Sequence, residues 1–124
     1  NTLQLEQLVK AAEKKPVTFH RAIDEVNDYE KGIQDLIRCG VTSVLTTGKM
    51  KSALEGKDVI NKMIYQYGAQ LNFIAGGGVR SSNISELLMN SNITQIHSAA
   101  ITQNQNFIAD EEEVRKIIEI VNYA

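Results

Sequence analysis

Short apolar runs alternate along this chain with longer amphipathic stretches. The runs begin near Val17, Thr42, Leu71 and Thr94, roughly 23 to 29 residues apart, and each is followed by apolar residues at helical spacing. That is the period of a strand–helix unit. Parallel strands need crossover helices between them, so four units in series predict an α/β fold with a parallel sheet.

Local signals mark the boundaries. Leu3, Leu5, Leu8, Val9 and Ala12 form a first helical stripe ending at Lys14-Lys15, and Pro16 hands over to the strand Val17-Thr18-Phe19-His20. Asp28 caps a second helix that carries Ile33, Leu36 and Ile37 and closes at Cys39-Gly40, ahead of the strand Ser43-Val44-Leu45-Thr46. The turn Thr47-Gly48-Lys49-Met50-Lys51 leads through Ser52 to a third helix with Val59, Ile60, Met63 and Ile64, which stops at Gly68. The third strand spans Leu71 to Ala75, and Ser81-Ser82-Asn83 starts a helix with Ile84, Leu87 and Leu88 on one face. Ile93 to Ala99 is the fourth strand. After a polar loop rich in Asn and Gln, Asp110 caps a last helix with Val114, Ile117, Ile118 and Val121 as its buried stripe. The acids Glu111, Glu112 and Glu113 suit the positive end of that helix and are expected in water. Residues 1–124 read as one domain without a linker.

Polar residues inside the strands refine the architecture. Thr18 with His20, and Gln95 with His97, fall on one face, whereas Val17 with Phe19, and Ile96, fall on the other. A doubly wound sheet is covered on both faces and its strands read as continuous apolar runs. The inner face of a barrel carries polar groups near its active-site end, so the barrel is the favoured reading.

The run Phe73-Ile74-Ala75-Gly76-Gly77-Gly78-Val79-Arg80 is the densest chemical signal. Three glycines after a strand let backbone N–H groups approach a ligand, and the helix expected at Ser81 aims its free donors and positive end at the same place. That geometry suits an anion such as phosphate.

Composition narrows the partners. With 13 Lys and Arg against 15 Asp and Glu and no basic run, nothing here favours nucleic acid or an anionic membrane. No apolar stretch approaches the roughly 20 residues of a membrane span, and Asn1-Thr2-Leu3-Gln4 lacks a signal-peptide layout, which makes the cytoplasm the expected compartment. The single cysteine, Cys39, excludes an internal disulfide and fits a reducing setting. The absence of an initiator Met suggests that sequence upstream has been cut away.

Five segments taken together resemble one family. Pro16-Val17-Thr18-Phe19-His20-Arg21-Ala22-Ile23-Asp24, Val44-Leu45-Thr46-Thr47-Gly48, Ser52-Ala53-Leu54-Glu55-Gly56, Gly76-Gly77-Gly78-Val79-Arg80 with Asn83-Ile84, and Ile96-His97-Ser98-Ala99-Ala100 closely resemble the CutC family, named for copper homeostasis. The resemblance implies (β/α) units of a TIM barrel with four of the eight strands present, a half barrel matching the last four. It also implies a link to copper as a possible cofactor. The residues usually discussed as copper ligands in the family belong to the half not represented here, so Cys39 is not among them and reads as a small buried hydrophobe. The metal ligands in this chain stay unassigned.

The candidate residues follow from strand ends. His20 and His97 lie at the C-terminal ends of the first and fourth strands, where barrels place catalytic groups, and either moves a proton or helps to pack the interior. Arg21 either clamps an anion or pairs with Asp24 or Glu25 on the rim. Arg80, Gly76, Gly77 and Gly78, with Thr46, Thr47 and Gly48 on the neighbouring loop, complete an anion-binding set. Two functions stay open: a copper-linked binding protein with an anion pocket, or a barrel enzyme acting on a small phosphorylated or carboxylate substrate. Four strands also leave two unpaired edges, which invites closure by a second copy or by the remainder of a longer chain.

Overall fold

The computed structural model describes residues 1–103 and 107–123, so part of the Asn/Gln-rich loop lies outside the described residues. Ten elements follow in order. They are α1 (Thr2–Ala11), β1 (Thr18–Phe19), a 3₁₀ turn (Arg21–Glu25), α2 (Tyr29–Arg38), β2 (Ser43–Thr46), α3 (Lys57–Tyr67), β3 (Asn72–Gly76), α4 (Ile84–Leu88), β4 (Gln95–His97) and α5 (Glu111–Asn122). The four strands form one parallel sheet in the order β1-β2-β3-β4. Among the described residues no helix is long and apolar enough to cross a membrane.

The register explains the polarity pattern. Phe19, Val44 and Phe73 align across three strands, as do Thr46, Ala75 and Ile96 across β2 to β4. These residues face the helices. Val44 and Phe73 join Ile23, Tyr29, Ile33, Leu36, Met63 and Leu71 in one buried cluster, and Ala75 joins Ala53, Ile60, Val79, Ile84 and Leu87 in a second. The alternate positions Thr18, Asn72, Gln95 and His97 are exposed, and Leu45 and Ile74 are only half-buried. The sheet therefore has one covered face and one open face, the arrangement of a barrel wall seen from its interior.

Several boundaries differ from the sequence expectation. His20 is not in β1: it is the residue before the 3₁₀ turn, and its Nδ1 accepts the Ala22 amide at 3.0 Å. α3 begins at Lys57, because Ser52 to Gly56 close a turn of their own through Gly56 N–H to Ser52 O at 3.0 Å. α4 has five residues and starts at Ile84 rather than Ser81, since the Asn83 side chain accepts the Arg80 amide and shapes residues 80–83 as a turn. β4 is shorter than Ile93 to Ala99, because Ser98 Oγ donates to Val79 O and draws the chain off the ladder.

Glu113 also departs from its expected place in water. It is buried, and its carboxylate accepts the Ser81 amide at 2.6 Å and the Ser81 hydroxyl at 2.7 Å. Those two donors hold its carboxyl below the usual carboxylate range. The tie fastens α5 to the segment after the glycines. A depressed carboxyl gives stability that is present above the unfolded value and lost as pH falls through the folded one. Glu113→Gln is therefore expected to lower stability near neutral pH by about 1–2 kcal/mol. Urea unfolding should show the gap between variant and wild type closing as pH drops below about 4.3; a gap independent of pH would refute the assignment.

Candidate functional site

The C-terminal ends of the strands gather the chemistry. After β1 the chain turns at once into the 3₁₀ segment, which carries Asp24 beneath the loop that follows β2. The Asp24 side chain is 5% exposed. Five donations converge on it: Thr46 Oγ1 at 2.6 Å, the Thr47 amide at 3.2 and 3.0 Å to its two oxygens, the Lys49 amide at 3.1 Å, and Arg21 Nε at 3.4 Å. Thr46 Oγ1 in turn accepts the Gly48 amide at 2.9 Å and pairs with the Tyr29 hydroxyl at 2.8 Å. Because the Thr46 hydrogen goes to Asp24, the Tyr29 hydroxyl is the donor in that pair. Burial pushes the Tyr29 phenol up to about 12, the Thr46 bond opposes this, and Asp24 adds to it.

This network reassigns Thr46, Thr47 and Gly48. The Thr46 hydroxyl and the Thr47 amide donate to an internal carboxylate and the Gly48 amide to Thr46 Oγ1, so these groups shape the loop. Gly48 also packs backbone on backbone: a Cβ there would stand 2.5 Å from Gly56 O. Asp24 itself was seen in the sequence only as a rim partner for Arg21. An acid five residues past a strand gave no sign that it would be buried.

The three glycines have different duties. A Cβ on Gly76 would meet Leu45 Cδ1 at 2.5 Å and His97 Cβ at 3.2 Å, so its absence lets inner-face side chains close over the strand. Gly77 has φ +104, and a Cβ there would lie 2.5 Å from Thr47 Cγ2 and 3.3 Å from an Arg21 guanidinium nitrogen. Gly78 has φ +70, and its amide donates to no acceptor among the described residues. Arg21 thus lies against the glycine turn, half-exposed, with Nε steered by Asp24. Thr47 Oγ1 is buried beside that turn without a hydrogen-bond partner among the described residues.

Arg80 is a brace. Its guanidinium donates to Ile101 O at 2.9 Å and Val79 O at 2.7 Å, with Ser98 Oγ at 3.5 Å, and so fastens the loop after β4 to the loop after β3. α4 has only five residues and starts at Ile84, so the turn of residues 80–83 lies between it and the glycines. His20 and His97 are both exposed, His20 as the residue before the 3₁₀ turn and His97 as the last residue of β4. β1 and β4 are the two edges of the sheet, three strand spacings or about 14 Å apart.

Comparison with known proteins fits this layout. The model of the CutC family matches residues 1–102. This chain belongs to the CutC family. A CutC family protein from Treponema denticola is 39% identical over 100 residues, covering 81% of this chain and 41% of the relative. The Caenorhabditis elegans protein named copper homeostasis protein cutC homolog is 35% identical over 101 residues, covering 82% of this chain and 40% of its own length. The crystal structure of a protein assigned as copper homeostasis protein CutC from Streptococcus agalactiae superposes with a TM-score of 0.70 at 27% identity, over 78% of this chain and 48% of that one. The chain thus spans about two-fifths of the length of these curated CutC relatives, and its four parallel βα units are part of a TIM-barrel-like fold.

Among the described residues no three His, Cys, Asp or Glu side chains converge. Cys39 caps the C-terminus of α2, at the opposite end of the sheet, with its thiol 3.8 Å from Thr2 O and 3.9 Å from Glu6 Oε1. Burial first, then the Glu6 carboxylate, pushes that thiol up, away from the thiolate that Cu(I) prefers.

The Asp24 network yields a direct test. Asp24→Ala strips the acceptor from the Thr46 hydroxyl and from the amides of Thr47 and Lys49, and is expected to cost about 3 kcal/mol or more. Asp24→Asn keeps one acceptor oxygen and should cost less. Chemical denaturation of both variants checks the order; equal, small losses would show that the buried carboxylate does not hold the loop.

Proposed function

We propose that this CutC chain provides the anion-binding rim of a copper-homeostasis barrel, gripping a small phosphate or carboxylate between Arg21 and the Gly77-Gly78 turn. The observation that carries this is the Arg21 guanidinium held against Gly77 beside the unengaged Gly78 amide. A planar guanidinium close to a turn with a free backbone N–H fits a tetrahedral or planar oxyanion. Glycine loops at these strand ends are frequent phosphate sites in barrels, which supports the choice of ligand. In this reading the link to copper comes from the family, and the chain's own residues bind the anion.

A second reading, acid–base catalysis on the bound anion, draws on His20. Its Nδ1 accepts the Ala22 amide, so the neutral ring carries its proton on Nε2. A histidine fixed in that tautomer donates from Nε2, the role of a general acid.

Amide spectra recorded during addition of inorganic phosphate test the proposal. Gly77 and Gly78 resonances are expected to move, and Arg21→Gln to weaken binding about tenfold or more. Arg80→Gln should loosen the fold while leaving the phosphate response in the folded fraction. If phosphate moves nothing while Cu(I) shifts the rings of His20 and His97, the anion reading is wrong.

A further inference from the structure

Ser52 stands beside the glycine turn. Apart from its chain neighbours, a Cβ at Gly78 would meet one heavy atom within 4 Å, Ser52 Cβ at 3.5 Å, and otherwise open space. Backbone bonds hold the two segments together: the Ala53 amide donates to Gly77 O at 2.9 Å, and Gly56 N–H returns to Ser52 O at 3.0 Å. Ser52 Oγ accepts the Glu55 amide at 3.2 Å and donates to no acceptor among the described residues, so its hydrogen is left over. The same turn holds Thr47 Oγ1, buried without a hydrogen-bond partner among the described residues, on the Cβ whose methyl group abuts Gly77.

Donors from three successive loops therefore border one opening: the Arg21 guanidinium after β1, the Ser52 hydroxyl after β2 and the Gly78 amide after β3. Arg21 keeps its outer nitrogens, since Nε alone is engaged by Asp24. A carboxylate is planar and has two oxygens, which a guanidinium can fill by itself in bidentate fashion. The Ser52 hydrogen then stays with water and adds nothing. A phosphoryl group carries three terminal oxygens at the corners of a tetrahedron, so guanidinium, hydroxyl and amide each find an oxygen of their own. We infer that the opening takes a terminal phosphoryl group in preference to a carboxylate, and that Ser52 is the residue that sets this preference. The inference rests on the anion site proposed for Arg21 and Gly78 and names its ligand class.

The test titrates the full chain with methyl phosphate, inorganic phosphate and malonate at about pH 7.5, where each carries close to two negative charges, and reads binding from the Gly78 amide resonance. Methyl phosphate is expected to bind at least about fivefold more tightly than malonate, and inorganic phosphate to behave as the ester does. Ser52→Ala should narrow that gap to about twofold or less by weakening the two phosphates alone. Ser52→Thr, which keeps the hydroxyl and the acceptor for Glu55, should restore it. The wild-type comparison decides the matter even where Ser52→Ala does not fold. Malonate binding as tightly as methyl phosphate, or a gap that survives Ser52→Ala, overturns the inference and leaves the anion site standing. Silence of Gly78 toward all three anions overturns the site itself, and the inference with it.

Discussion

One buried carboxylate organises the functional end of this protein. Asp24 accepts hydrogen bonds from a hydroxyl, two amides and a guanidinium, from residues lying on both sides of β2. A charge taken out of water persists only if its lone pairs are filled and an opposite charge stands near. Here the loop after β2 supplies the filling and Arg21 the charge. The consequence runs outward: a loop folded around Asp24 puts Thr47 against Gly77, and Gly77 must then be a glycine, because any Cβ would strike Thr47 Cγ2. Arg21, steered by the same carboxylate, comes to rest on that glycine. The glycine turn is therefore set by an internal anion before any ligand arrives.

The second constraint is the one-sided sheet. Helices cover Val44, Phe73 and Ala75, while Thr18, Asn72, Gln95 and His97 face outward from an uncovered surface. A parallel sheet exposed on one face and both edges is unusual, because its strands offer unpaired backbone groups to any passing chain. The polar residues on that face reduce the aggregation hazard without abolishing it. The braces at the rim, Arg80 across the loops after β3 and β4 and Glu113 on Ser81, hold the last strand in register where no further strand supports it.

Much of the architecture was legible in the sequence because it follows from period and punctuation. The spacing of apolar runs gave four parallel units, Pro16 and Gly68 marked breaks, and the polar alternation at Thr18, His20, Gln95 and His97 pointed to an inner barrel face. Five motifs in order gave the family. What escaped was the use to which polar groups are put. Thr46, Thr47 and Gly48 look the same in a sequence whether they bind a ligand or a neighbour's carboxylate; only the fold brings Asp24 under them. Arg80 next to three glycines reads as a free cation until the carbonyls of Val79 and Ile101 claim it. Glu113 reads as one more acid of a solvated first turn until Ser81 is placed against it.

These misreadings share a cause that bears on how the rim works. Sequence proximity favours local pairs, yet the decisive partners here lie far along the chain: Asp24 with Thr46 to Lys49, Ser81 with Glu113, Arg80 with Ile101. Each bond joins the loop of one βα unit to the next unit or beyond. Parallel βα units have no hairpin to fix their loops, so loop conformation must be imposed by such long-range ties. A site built this way is preorganised by its neighbours, and its donors divide into those consumed by the ties and those left over. Among the described residues the remainder at this rim includes the outer nitrogens of Arg21, the amide of Gly78 and the hydroxyl of Thr47. An anion held as proposed at Gly78 would therefore depend on Asp24 staying in place, even though it would never touch it.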